Sequence, residues 1–272
     1  MKKIGWISSY PKSGNTFVRL FLTHYLYDSL DNLNFDLLNK IPKFEQKKIF
    51  EDSLNINFLF KNFDYIKYSI KTQEKLIEKN NQINLLFKTH HFYGDINNFH
   101  FTNKENSLFY IYLVRDPREV LISFSNHTKT KINKQIEFLT SQNIIQKNEM
   151  ETLVSWGLHY RSWRSFKSIP NLFIKFEDLI NNPFENFKLI LSFLSKYIKI
   201  KIDDANIKKT INTISFLNLQ RLERNSGFKE APNNSIFFRS GITDSWKKVL
   251  SKEQISYIEK IFYDEMKDLN YL

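Results

Sequence analysis

Lys12, Ser13 and Thr16 stand close together in the stretch Tyr10-Pro-Lys-Ser-Gly-Asn-Thr16, with Gly14 and Asn15 between them. One ammonium, two hydroxyls and a tight loop of backbone N–H groups form a donor set for an anion, and phosphate is the ligand that suits it. A second cluster reads Lys88-Thr89-His90-His91 directly after an apolar run. An imidazole titrates near neutrality, so either histidine there is suited to taking a proton from a hydroxyl. Third, Arg115 is followed eight positions later by Ser123. A guanidinium forks onto phosphate oxygens, and this pair suits one anion. A last basic group, Arg239, lies in Phe237-Phe-Arg-Ser-Gly241.

The elements that must position these residues follow from the apolar pattern. Ile4–Ile7, Asn84–Lys88, Leu108–Val114 and Leu172–Lys175 are short apolar runs with the character of buried parallel strands. Helical spacing marks Thr16–Leu30, Pro117–Thr128, Glu151–Lys167, Asn182–Leu194 and Lys252–Lys267. Asp116-Pro117 is a helix opening, with a capping carboxylate before a proline at the first helical position. Strands alternating with helices predict an α/β fold around a parallel sheet. The loop at residues 8–16 then lies between a strand and a helix, where a helix N-terminus faces the anion. Two polar stretches, residues 34–82 and 128–150, break the alternation. They read as helical insertions around the ligand crevice and are expected to wall an acceptor site.

The loop is not a Walker A sequence, because Lys12 precedes its glycine. Tyr10-Pro-Lys-Ser-Gly-Asn-Thr-Phe17 instead resembles the 5′-phosphosulfate loop of sulfotransferases that use 3′-phosphoadenosine 5′-phosphosulfate (PAPS), many of which carry Tyr-Pro-Lys-Ser-Gly-Thr-Thr-Trp. Five further segments follow in that family's order. Phe87-Lys-Thr-His90 is similar to the segment holding its general base, which implies His90 rather than His91, with Lys88 beside it. Arg115 and Ser123 have the spacing of its 3′-phosphate pair. Ile174–Leu179 and Ile214–Phe216 resemble its adenine segments, which implies adenine contacts for Phe176 and Phe216, with Phe17 as a further stacker. Phe237–Lys248 resembles its C-terminal Arg-Lys-Gly-x-x-Gly-Asp-Trp-Lys segment. Arg239, Gly241, Trp246 and Lys247 match, Ser240 replaces a lysine, and Asp244-Ser245 stands where Gly-Asp is usual.

The resemblance implies a P-loop-containing three-layer α/β/α domain. It implies a sulfotransferase in which Lys12, Lys88 and His90 serve the chemistry. Ser13, Gly14, Asn15, Thr16, Phe17, Arg115, Ser123, Phe176, Phe216, Arg239, Ser240 and Gly241 then hold the donor. The product would be 3′-phosphoadenosine 5′-phosphate (PAP). A P-loop small-molecule kinase using ATP and magnesium is the alternative, with Asp116 as the metal carboxylate.

Composition bounds these readings. The chain has 272 residues, 42% hydrophobic and 16% aromatic, enough for one domain spanning 1–272. It has no cysteine, which removes disulfides and thiolate metal sites. His24, His100, His127 and His159 are scattered, so no metal is expected and turnover should survive excess chelator. No apolar run spans a membrane and the N-terminus carries no signal-peptide pattern, which favours a cytoplasmic protein. The net charge of +11 is spread through a Lys/Asn/Ile-rich composition without long like-charge blocks. The phenylalanines sit in apolar runs, so nucleic acid is not an expected partner. The acceptor, a small molecule, lipid or carbohydrate hydroxyl or amine, is left open, as is the oligomeric state.

Overall fold

The computed structural model describes residues 2–27, 33–57, 63–80, 85–148, 150–231, 236–239, 241 and 243–272. Four strands form the main sheet: β1 (Ile4–Ser9), β2 (Leu85–Thr89), β3 (Ser107–Val114) and β4 (Asn171–Lys175). Their order across the sheet is β2-β1-β3-β4, and β1 runs parallel to both of its neighbours. Each of the four overlaps its expected run. β1 is buried at all six positions, as expected of a central strand covered on both faces. The fold is α/β with a central parallel sheet, as the alternating pattern predicts.

The chain divides into two compact units, each assembled from three segments. The first comprises residues 1–10, 42–114 and 138–173, and holds β1, β2 and β3. Register brings the carboxyl ends of its strands level: Ser8 pairs with Thr89, and Ser9 with Leu113. Its core is aromatic. The Trp6 ring lies 5.3 Å from Phe44 and 5.2 Å from Phe101, and its indole N–H donates to Ser107 Oγ at 2.9 Å. Truncating such a buried tryptophan typically costs about 3–5 kcal/mol. Helices at Lys47–Leu54, Ile66–Lys79 and Trp156–Ser165 belong to this unit.

The second unit comprises residues 11–41, 115–137 and 174–272. Its principal helices for the site are α1 (Asn15–Leu26), α2 (Pro117–Thr128) and α3 (Phe216–Ser226). α2 opens as the sequence predicts: the Asp116 side chain accepts from the Arg118 N–H, and Pro117 occupies the first turn. The Phe21 ring of α1 stacks on Phe187 at 3.8 Å. No described helix is long and apolar enough to cross a membrane.

Three expected boundaries are corrected. Ile145–Asn148 and Glu151–Leu153 pair as two antiparallel strands rather than helix, with Thr152 and Leu153 opposite Gln146 and Ile145. The helix expected over 151–167 therefore starts at Trp156, where the Ser155 side chain caps the Leu158 N–H. The C-terminal helix expected over 252–267 breaks at Phe262 into Lys252–Ile261 and Tyr263–Asp268. The last residues expected for the first helix, from 28 onward, lie outside those described.

Candidate active site

The anion loop belongs to the second unit from Pro11 onward. Lys12 takes a left-handed backbone conformation (φ 70°), and Gly14, itself without a side chain, is the N-cap of α1 at φ 93°. A Cβ on Gly14 would stand 2.4 Å from the Phe176 ring, so only glycine lets the loop lie on that ring. Ser13 is fully buried and its hydroxyl has no hydrogen-bond partner. A buried orphan hydroxyl beside a helix N-terminus and an ammonium fits the phosphate end of a nucleotide donor.

Arg115 is built into the same cluster. It donates to the Lys12 carbonyl at 3.2 Å and lies 4.5 Å over the Phe176 ring. It also pairs with Glu119 one turn along α2, at 3.2 Å. Burial lowers the Arg115 pKa, partly offset first by Glu119 and then by Glu177. Lys12 Nζ lies 3.4 Å from His127 Nδ1 and 4.0 Å over the Phe237 ring. Thr16 is engaged by the chain itself: its hydroxyl donates to Glu230 at 3.0 Å, and the same carboxylate pairs with Arg19 at 2.7 Å.

The remaining predicted donor residues fall in three places. Ser123 lies one turn beyond Glu119 on the same face of α2, half-buried. Phe17 packs at 5.4 Å from Phe187. Gly241 (φ 58°) approaches Phe216 so closely that a Cβ would stand 2.8 Å from the ring. The backbone before it is tethered to α3: Glu223 accepts from the Phe237 and Phe238 N–H groups, and Gln220 donates to the Phe238 and Arg239 carbonyls. Ser240 lies outside the described residues.

The first unit carries Lys88 and His90. His90 is buried, and its Nδ1 lies 2.8 Å from the Ser9 carbonyl at the end of β1. A carbonyl only accepts, so Nδ1 carries the proton and Nε2 is the basic nitrogen. Burial lowers the His90 pKa well below its ordinary value, and the Lys88 and Lys43 ammonium charges push the same way. The imidazole is therefore neutral at neutral pH.

The backbone around His90 is clamped from both sides. His159 Nε2 donates to the His90 carbonyl at 3.0 Å, while the Tyr112 hydroxyl donates to His159 Nδ1 at 2.8 Å. Glu45 accepts from the Thr89 hydroxyl and from the His91 N–H. Residues 42–44 lie along β2, with the Lys88 N–H bonded to the Pro42 carbonyl and the Phe44 N–H to the Lys88 carbonyl. His91 is turned into the aromatic core, stacked on Phe101 at 4.4 Å. That contact separates its role from that of His90.

Sequence reasoning did not find Glu45, Glu119, His159 or Glu230. Only Glu119 carries a local signal, the i,i+4 spacing from Arg115. The other three meet their partners across dozens of residues or more.

Comparison with known proteins follows this geometry. The sulfotransferase domain family matches residues 3–270. An amine sulfotransferase of Oryctolagus cuniculus is 26% identical, over 97% of this chain and 80% of its own length. A flavonol 3-sulfotransferase of Flaveria bidentis is 23% identical, over 96% and 81%. Among solved structures, a retinol dehydratase in complex with androsterone and the inactive cofactor PAP superposes with TM-score 0.65 at 18% identity, covering 97% of this chain and 81% of that one. A mouse sulfotransferase complexed with PAP gives TM-score 0.59 at 18% identity, with 97% and 84% covered. These structures share the P-loop-type fold, and the match along nearly the whole sequence means that the chain belongs to the sulfotransferase domain family.

Proposed function

We propose that the protein transfers a sulfuryl group from PAPS to an acceptor hydroxyl or amine, with His90 as general base and Lys12 stabilising the leaving phosphate. The observation that carries this reading is the Lys12–Thr16 turn: an ammonium, a buried hydroxyl without a hydrogen-bond partner at Ser13, and the start of α1 at Gly14-Asn15 in consecutive residues. Such donors are fixed before reaction and are strongest where negative charge develops, on the bridging oxygen as its bond to sulfur breaks. His90 Nε2 takes the acceptor proton as the new bond to sulfur forms, and Nδ1 keeps its proton on the Ser9 carbonyl throughout. Lys88, two residues before His90, supplies charge for the transferring sulfonate.

Arg115, Ser123, Arg239 and Gly241 are assigned to the 3′-phosphate, and Phe17, Phe176 and Phe216 to adenine. Arg115 suits its role because the Lys12 carbonyl, Glu119 and the Phe176 face fix its guanidinium plane. The relatives named for amines and flavonols, and those crystallised with PAP, support a small-molecule acceptor and this donor. The kinase alternative loses ground on the family match and on the order of Lys12 and Gly14.

The test is calorimetric titration with PAP, ADP and AMP in metal-free buffer. Micromolar binding of PAP, much weaker binding of AMP, and loss of PAP binding in Arg115→Ala are expected. Equal binding of PAP and ADP would overturn the donor assignment.

A further inference from the structure

Glu119 is tied by three hydrogen bonds at the Arg115 cluster, and the reaction as described gives it no role. It is 2% exposed, on α2, one turn from Arg115. Its Oε2 accepts from the Arg115 guanidinium at 3.2 Å and from the Ser245 hydroxyl at 3.0 Å. Its Oε1 accepts from the Trp246 N–H at 2.9 Å. One carboxylate thus ties a buried arginine to the start of the short helix Trp246–Val249. The neighbouring Arg118 reinforces the tie, lying 3.8 Å over the Trp246 ring.

The backbone upstream of that helix is held at its other end by Glu223 and Gln220 of α3, which grip Phe237–Arg239. Arg239 and Gly241 therefore lie, in sequence, between two fastened points, and the Ser245–Trp246 fastening is the one shared with Arg115. A buried carboxylate with three donors is costly to place unless all three are held, so its geometry is sharply defined.

We propose that Glu119 is a positioning residue for recognition of the 3′-phosphate: it sets the guanidinium of Arg115 and anchors the segment bearing Arg239 and Gly241, so that both halves of the anion site are held by one group. This rests on the assignment of PAPS as donor. It places Glu119 in discrimination between nucleotides with and without a 3′-phosphate, rather than in the transfer step.

The experiment titrates wild type, Glu119→Gln and Ser245→Ala with PAP and with AMP, with circular dichroism as the fold control. Glu119→Gln keeps the side-chain shape and an acceptor for the Trp246 N–H but loses the charge that orients Arg115. PAP affinity is expected to fall about tenfold while AMP affinity stays within about twofold, shrinking the preference. Ser245→Ala, which removes one fastening and no charge, is expected to give a smaller loss confined to PAP. It carries the test if Glu119→Gln fails to fold. A general structural role would weaken both nucleotides together, and an unchanged PAP-over-AMP ratio in both variants would overturn the proposal alone. Absence of any PAP preference in the wild type would overturn the donor assignment and the proposal with it.

Discussion

Acid should destabilise this protein steeply, and the cause is three histidines in the first unit. His90, His91 and His159 are all buried, and burial is the first cause of each depressed pKa: His90 well below its ordinary value, His91 to about 4, His159 to about 3. In the unfolded chain each titrates near 6.5. Between the folded and unfolded values the unfolded state binds more protons, so stability rises with pH by about 1.4 kcal/mol per pH unit per group. The contribution is complete above about pH 6.5 and is lost as pH falls towards the folded pKa. Integrated, His91 and His159 would contribute about 3 and about 5 kcal/mol.

Two groups oppose them. Glu45 and Glu177 have pKa values raised by burial, so the folded state holds their protons above the ordinary 4.5. They cancel at most two of the three histidines just above that pH. The net slope from pH 6.5 to 5 is then about 1.4 to 4 kcal/mol per pH unit, a loss of about 2 to 6 kcal/mol by pH 5. Against a typical total of about 5–15 kcal/mol, this brings the fold close to its limit. The assay is urea unfolding followed by circular dichroism at pH 7.5, 6.5, 5.5 and 5.0, on wild type and His159→Gln. The glutamine keeps a donor for the His90 carbonyl and removes one titrating group, so its slope should be shallower by about 1.4 kcal/mol per pH unit. A flat wild-type profile, or equal slopes in the two proteins, would refute the reasoning.

Two further outcomes follow from the site. His90→Gln should lower kcat by about 10²–10⁴ with PAP affinity unchanged, measured by steady-state turnover beside calorimetry; a kcat within about threefold of wild type would remove His90 as the base. Gly14→Ala forces a left-handed alanine, at about 1–2 kcal/mol, and drives a Cβ into the Phe176 ring. Urea unfolding should show at least that loss together with weakened PAP binding, and an unaltered protein would mean that the loop does not need glycine.

What the sequence made legible was local. The Lys12–Thr16 turn, the Asp116-Pro117 opening of α2 and the four sheet strands are all written in consecutive residues, and all appear where expected. His90 was separated from His91 only by likeness to other proteins; in the structure His91 is stacked on Phe101 and His90 bonds to the Ser9 carbonyl. The strand pair Ile145–Asn148 and Glu151–Leu153 was missed because a polar two-stranded ribbon carries almost no apolar alternation. The carboxylates were missed for a different reason. Glu45 meets Thr89, Glu119 meets Ser245, and Glu230 meets Thr16 across 44, 126 and 214 positions, and nothing in local spacing announces a partner so distant. The chain's own side chains organise the site through long-range bonds, while the motifs only mark the groups being organised.

The tryptophans divide unevenly between the two units. Trp6, Trp156 and Trp163 are fully buried in the first, and Trp246, half-exposed beneath the Arg118 guanidinium, belongs to the second. With four tryptophans in the chain, the molecule carries separable optical labels. Replacing Trp246 with phenylalanine would leave emission from the first unit alone. The difference spectrum would report the second through one indole with a cationic quencher against its face. Comparing the two signals during unfolding would show whether units between which the chain passes five times lose their structure as one cooperative body or in succession.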